Sequence, residues 1–338
     1  MNIEREFNMR MSKDKRNASI KECIWGESDN NSRCQGKIIK SHSIQRSKIL
    51  QKISDNGKVS ILSPKVSPEK MFFDFDLEGT KKFSTFTGFC AYHDKAIFQP
   101  IEDKEFVGDR EQMFIYAYRS ASKEYHSQKE STHLYDNKIT EIKKSTSADV
   151  KSYLAKFQVK LFHAGISVMQ LQSICEYLKS GIENKTFTGL KHHYYCIDYE
   201  IPIACSSSFV PYKNYSGIDV FSQQEKMSMS TNPGSAENPN QVFFNVFPES
   251  GKTHIIISYF KNMKVKYKFF NKMLKGTEGE VKIRVSDYIL NYVENVAFSP
   301  SYISEEFSEE DKKKVINAFS SNVLDANVFI KSSVSLLR

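Results

Sequence analysis

Five potential metal ligands stand in the first third of the chain, in the order Cys23, Cys34, His42, Cys90 and His93. The last two lie within Gly88-Phe89-Cys90-Ala91-Tyr92-His93-Asp94, a Cys-x-x-His step followed directly by a carboxylate. Zinc takes four soft or borderline ligands in a tetrahedron, usually as two pairs on tight turns that the fold brings together. Cys90 and His93 form one such pair. Ten residues separate Cys23 from Cys34, so the loop between them, with Trp25, Asp29, Asn30 and Asn31, has to fold back to make the other. His42 can replace either cysteine as the fourth ligand. Without a metal, Cys23 and Cys34 read as unrelated free thiols and His93 as a surface histidine.

A chain of 338 residues, 40% hydrophobic and 26% charged, can bury a sizeable core in two or three domains. It contains no run of ~18 apolar residues, and Met1-Asn2-Ile3-Glu4-Arg5-Glu6-Phe7 is charged with no apolar stretch behind it. A cytoplasmic address and no membrane partner are therefore expected. Six cysteines are too sparse for a disulfide framework, and Cys175, Cys196 and Cys205 sit in patterns of ordinary buried positions, so reduced thiols are expected. The net charge is +8, with about fifteen Lys and Arg against about eight Asp and Glu in the first seventy residues. That gradient is compatible with a phosphate-facing surface. It also fits a solvated tail, because Met11-Ser12-Lys13-Asp14-Lys15-Arg16-Asn17 lacks apolar periodicity. Richness in Lys, Asn, Ser, Ile, Phe and Tyr is common in AT-rich bacterial genomes and speaks to origin rather than function.

The patterning predicts an α+β chain in four parts: a basic flexible tail (1–21), a small zinc-organised module (22–110), a helical connector (111–185) and an α+β domain built on an antiparallel sheet (186–338). In the module, Gly26, Gly36 and Gly57 are turn points, Ile38-Ile39 leads as a short strand into Ser41-His42, and a helix is expected over 45–53. Residues 58–83, with Pro64, Pro68 and the run Met71–Asp76, read as a β-hairpin inserted between the two halves of the ligand set. Helices are expected near 111–129 and from Ser147 to Lys185, with a lysine-rich loop around 138–144 between them. Past Lys185 the apolar period becomes two, in 193–201, 241–247 and 254–260, and Pro248–Lys252 is a hairpin loop by composition. Residues 222–240 read as a long exposed loop, and helices close the chain near 285–293 and 309–320.

The module resembles the HNH endonucleases of the treble-clef, or ββα-metal, group. In that family a zinc-bearing Cys pair precedes a strand that ends in a small or acidic residue plus His. A second Cys pair then opens a helix that carries a metal-binding residue. By resemblance, Ser41-His42 stands where the general-base histidine stands, and Cys90-Ala91-Tyr92-His93 where the second Cys pair does, with His93 replacing a cysteine. Asp94 takes the place of the helix-borne ligand for a catalytic divalent cation. Three features depart from the pattern: Ser41 has no neighbouring carboxylate, Ser84 or Thr85 falls where an orienting Asn is usual, and the gap from His42 to Cys90 is long.

The resemblance implies metal-assisted hydrolysis of nucleic-acid phosphodiesters, DNA rather than RNA, in a setting such as bacterial defence. Zinc on Cys23, Cys34, Cys90 and His93 would be structural. His42, held by a backbone carbonyl, would deprotonate water, and Mg²⁺ or Mn²⁺ on Asp94 would stabilise the leaving oxygen. Read from the residues alone, His42 is equally a fourth zinc ligand, and Asp94 an acid favoured by the helix dipole. The competing function is a non-catalytic, zinc-stabilised binding or sensor protein. In either case residues 186–338 are expected to meet a substrate or a protein partner. Arg119 and His126, within two helical turns, read as a solvated helix face in preference to a polar face near the metal module.

Overall fold

Apolar residues repeat every second position in some segments and every third or fourth in others, and the chain follows both periods into mixed α and β structure. A computed structural model describes residues 3–26, 34, 37–67, 71–231, 240–324 and 328–338. The expected Cys23–Cys34 loop at 27–33, the turn at Gly36, Pro68, and the Asn-Pro steps of 232–239 lie outside the described residues. The elements in order are α1 (Ile3–Ala18), β1 (Ile38–His42), β2 (Lys58–Val66), β3 (Met71–Gly79), β4 (Thr85–Cys90) and α2 (Ala91–Glu102). They continue with α3 (Arg110–Lys144), α4 (Ala148–Ser152), α5 (Leu154–Glu183), β5 (Leu190–Ile197), β6 (Ile203–Phe209) and α6 (Gln223–Thr231). The chain ends with β7 (Val242–Glu249), β8 (Lys252–Phe260), α7 (Phe269–Met273), α8 (Glu278–Tyr292), β9 (Val296–Phe298), α9 (Pro300–Glu306) and α10 (Glu309–Leu324). No described helix is long and apolar enough to cross a membrane.

Seven strands form one antiparallel sheet in the order β3-β2-β9-β6-β7-β8-β5. Its two faces are read from alternate residues. Phe243, Phe247, Ile256 and Phe260 join a core with α3, α5 and the Cys/His region. Val242, Phe244, Val246, Ile255 and Ile257 join another core with α7, α8, α9 and α10. Because both faces are covered, β7 is buried at every position. The hairpin expected after Lys58 forms as β2–β3, with Lys58 opposite Gly79 and Val66 opposite Met71. It adds to the edge of this sheet through β9, where Ser60 pairs with Phe298.

Several helical expectations change. Residues 3–18, expected to be irregular, form α1, whose end is tied to α3 by an Asp14–Lys138 ion pair at 2.7 Å and a bond from Asn137 Nδ2 to the Asn17 carbonyl at 3.4 Å. The lysine-rich stretch 138–144 is no loop but the last part of α3. Lys and Glu are good helix formers, and Ile139 and Ile142, three apart, are buried there. Part of the expected loop 222–240 is helical, as α6. Arg119 and His126 are not on a solvated face: both are fully buried.

Candidate functional site

The site grows from a second, two-stranded sheet in which β1 and β4 run antiparallel, with α2 following β4 without a break. Ile38 faces Cys90 and Ile39 faces Phe89, but Ser41 faces Phe86 and His42 faces Thr85, so β4 carries one extra residue opposite Lys40. Gly88 lies in this bulge. A Cβ there would sit 2.7 Å from the Phe86 ring and 2.9 Å from Ile24 Cδ1, so only glycine lets the segment before β1 approach so closely. That segment adds to the other edge of β4 through Glu22 N to Thr87 O at 3.2 Å and Ile24 N to Gly88 O at 2.9 Å. The bulge thereby delivers Cys23 to the start of α2.

Cys23, Cys34, Cys90 and His93 converge there, and their ligand atoms all lie within 4.8 Å of one another. His93 Nδ1 is 3.3 Å from Cys23 Sγ and 3.4 Å from Cys90 Sγ. A zinc ion bonded to sulfur at ~2.3 Å and nitrogen at ~2.0 Å sets an S···N edge of about 3.5 Å in a tetrahedron, so the spacing fits. Cys23, Cys90 and His93 are buried and Cys34 is at the surface. Burial pushes the Cys23 thiol up to about 12, opposed by the amides of Cys90 and Gly26 that point at its sulfur. A buried thiol that resists losing its proton is stabilised as a ligand by the charge of a bound cation. The Cys₃His set can therefore hold a metal ion such as zinc. Around it, Trp25 lies with its ring 6.3 Å from that of His93, and Lys179 Nζ donates to the Trp25 carbonyl at 2.7 Å.

His42 is not in the ligand set. At the far end of β1 its Nε2 donates to the Thr80 carbonyl at 3.1 Å. A carbonyl only accepts, so this bond places the ring proton on Nε2 and leaves Nδ1 with a free lone pair. Burial lowers the His42 pKa below 6.5, with Arg119 and Arg46 acting in the same direction and Thr80 and Glu102 against it. The imidazole is thus neutral at pH 7. Asp94, in the first turn of α2, has a raised pKa because it is buried; the Ser41 hydroxyl and Arg119 pull it back and Glu102 pushes it further. The Ser41 hydroxyl lies against this carboxylate without completing a well-formed hydrogen bond.

His42 and Asp94 share a neighbour, Arg119, which the sequence suggested on a solvated helix face and the structure buries. Asp94, Phe98 and Glu102 follow at intervals of four on one face of α2, and Arg119 of α3 covers it. Its guanidinium lies 4.1 Å over the Phe98 ring, and its Nη2 donates to Glu102. Gln45 Nε2 donates to the Glu102 carbonyl at 3.1 Å, bringing the turn after β1 onto the same end of α2. A signal was present: Met113–Ala121 contains Arg119 as its single charge, so this part of α3 is apolar all round, and a charge there must be buried and paired. Asn295 is a second unforeseen participant. Its Nδ2 donates to Ser43 Oγ at 3.0 Å, Ser84 Oγ at 3.3 Å and the Ser206 carbonyl at 2.8 Å. It ties both flanks of the β1–β4 pair to the large sheet, and Ser84 holds a positive φ of 61° there. No sequence pattern links position 295 to 43 and 84.

Among the described residues, no other group of three or more His, Cys, Asp or Glu converges as the Cys₃His set does. The chain matches no protein-family model, no curated protein and no solved structure.

Proposed function

We propose that the chain is a metal-dependent phosphodiesterase of the HNH type acting on nucleic acid, with DNA the first substrate to test, in a bacterial defence setting. The observation that carries this reading is the placement of His42 and Asp94 around one Arg119–Glu102 pair, on a strand–strand–helix unit that a Cys₃His set can clamp. His42 is a neutral imidazole with its Nε2 proton fixed by a backbone carbonyl, which suits Nδ1 to accept a proton from water. Asp94 is a half-buried carboxylate to which, among the described residues, no arginine or lysine is bonded, an environment that favours a bound cation over a bare charge. Mg²⁺ or Mn²⁺ held there would supply charge stabilisation to the leaving oxygen. Zinc on Cys23, Cys34, Cys90 and His93 would fix the geometry and take no part in the chemistry.

The test is cleavage of supercoiled DNA and of single-stranded RNA with Mg²⁺ or Mn²⁺ by the wild type, His42→Ala and Asp94→Asn. Loss of a general base costs about 10²–10⁴-fold in rate, so both variants should fall at least that far while keeping their metal. Full cleavage by both refutes the assignment. One observation favours a second reading, a zinc-stabilised binding protein without catalysis: Arg119 engages Glu102, so among the described residues no second carboxylate joins Asp94 in a cation-binding group. Wild-type protein that binds nucleic acid and cleaves none with any cation supports that alternative.

A further inference from the structure

Arg46 stands out among the charged groups around His42. It opens the turn after β1, held by bonds from Leu50 N to Gln45 O at 3.0 Å and from Gln51 N to Arg46 O at 2.8 Å. Ile49, Leu50 and Ile53 anchor that turn in the core, and the Gln45 side chain bolts it to the end of α2. Arg46 is therefore displayed from a rigid backbone. Its Nε is buried without an acceptor, and among the described residues no carboxylate pairs with its guanidinium. Glu102, whose charge also acts on His42, is engaged by Arg119. Arg119 Nε is likewise buried without an acceptor among the described residues, so two arginines that act on His42 carry an unfilled Nε–H. Unfilled buried donors are costly, and the planar guanidinium of half-exposed Arg46 offers a fork that matches a phosphate in a two-point grip.

We infer that Arg46 is a phosphate-binding residue, which grips a phosphodiester oxygen pair beside His42 through its guanidinium. This rests on the reading of the module as a nucleic-acid site and gives it a substrate contact that the His42 and Asp94 roles do not supply. The positive group at the reacting phosphate then comes from the chain itself, and binding does not wait for a divalent cation.

The experiment measures binding of a fluorescein-labelled DNA duplex by zinc-loaded wild type, Arg46→Ala, Arg46→Lys and Lys313→Ala, without added divalent cation and over a series of salt concentrations. In parallel, the Nε–H resonance of Arg46 is followed by NMR while inorganic phosphate is added. The expected result is about tenfold weaker binding for Arg46→Ala and a salt slope shallower by about one contact. Arg46→Lys should recover little of the loss, because a point charge lacks the fork. Lys313→Ala, an exposed cation on α10 away from the site, should bind as the wild type does, and phosphate should shift the Arg46 Nε–H signal. Wild-type affinity in Arg46→Ala together with an unmoved Nε–H signal overturns the inference and assigns that edge to water. Arg46→Ala is checked by Trp25 fluorescence for an intact fold, and Arg46→Gln serves if it fails. If the wild type cleaves nothing with any cation yet Arg46-dependent binding remains, the grip stands and only the nuclease reading falls.

Discussion

Replacing Arg119 with methionine removes a buried cation and keeps much of its volume, which makes it a sharp probe of the site's electrostatics. The Arg119 side chain is 2% exposed and that of Glu102 is 27% exposed. Breaking a fully buried pair from one side costs about 3–5 kcal/mol, because the remaining charge is left without a counter-ion. Here Glu102 retains some water, which lowers the cost, whereas losing the cation over Phe98 adds about 0.5–2 kcal/mol. The expected loss is therefore about 2–4 kcal/mol, read from urea denaturation of the zinc-loaded protein. Combining Arg119→Met with Glu102→Gln should recover part of it, with a coupling of about 1–3 kcal/mol in a double-mutant cycle. A second readout is independent of stability. Arg119 depresses the pKa of both His42 and Asp94, so in Arg119→Met both should titrate higher by NMR. A loss under about 1 kcal/mol with an unmoved His42 titration would refute the placement of Arg119 as the charge that organises this site.

Four further outcomes are expected. Cys90→Ala should weaken zinc binding by more than about 100-fold, since outer-shell changes alone cost about 10–100-fold; Trp25, the single tryptophan, reports it as a red-shifted emission. Gly88→Ala forces a Cβ into Phe86 and Ile24 and should destabilise by about 1–3 kcal/mol, measured by thermal or urea unfolding with zinc present. Asn295→Ala strips a shared donor from Ser43 and Ser84 and should cost about 1–3 kcal/mol, with His42 line-broadened by NMR while zinc content stays unchanged. Burial lowers His192, beside Arg110, and His193, beside Lys191, each to about 4. Unfolded histidines titrate near 6.5, so as pH falls below about 6.5 the unfolded chain gains protons that the folded chain refuses. Stability should decline from about pH 6.5 to about pH 4 and level off below, and His192→Gln should flatten that decline.

Local features were legible where one segment carries its own pattern. The Cys90-x-x-His93 step and Cys23 gave the Cys₃His set, because metal chemistry restricts which residue types can cluster. The hairpins at 58–79 and 242–260 were legible from alternation, since each strand buries one face toward each core. The attachment of β2–β3 to a sheet otherwise built after residue 189 was not, because a pairing such as Ser60 with Phe298 leaves no local trace. The helical ends of α1 and α3 were missed for a different reason. Their polar residues are sound helix formers, and they gain order by docking on other helices rather than through an apolar stripe of their own. At the site, His42 and Asp94 were named from their motif, yet Arg46, Arg119, Glu102 and Asn295 come from four separate segments. Arg119 alone had a readable signal, a charge inside an apolar helical run.

The most direct test of the account is zinc K-edge X-ray absorption on the purified full chain, with metal content measured in parallel. The account predicts about one zinc per chain with three sulfur neighbours at ~2.3 Å and one nitrogen at ~2.0 Å, unchanged in His42→Ala and lost in Cys90→Ala. A freshly prepared protein without zinc, or a zinc whose shell loses a nitrogen in His42→Ala, would contradict the assignment of the Cys₃His set as the clamp and of His42 as the group it positions.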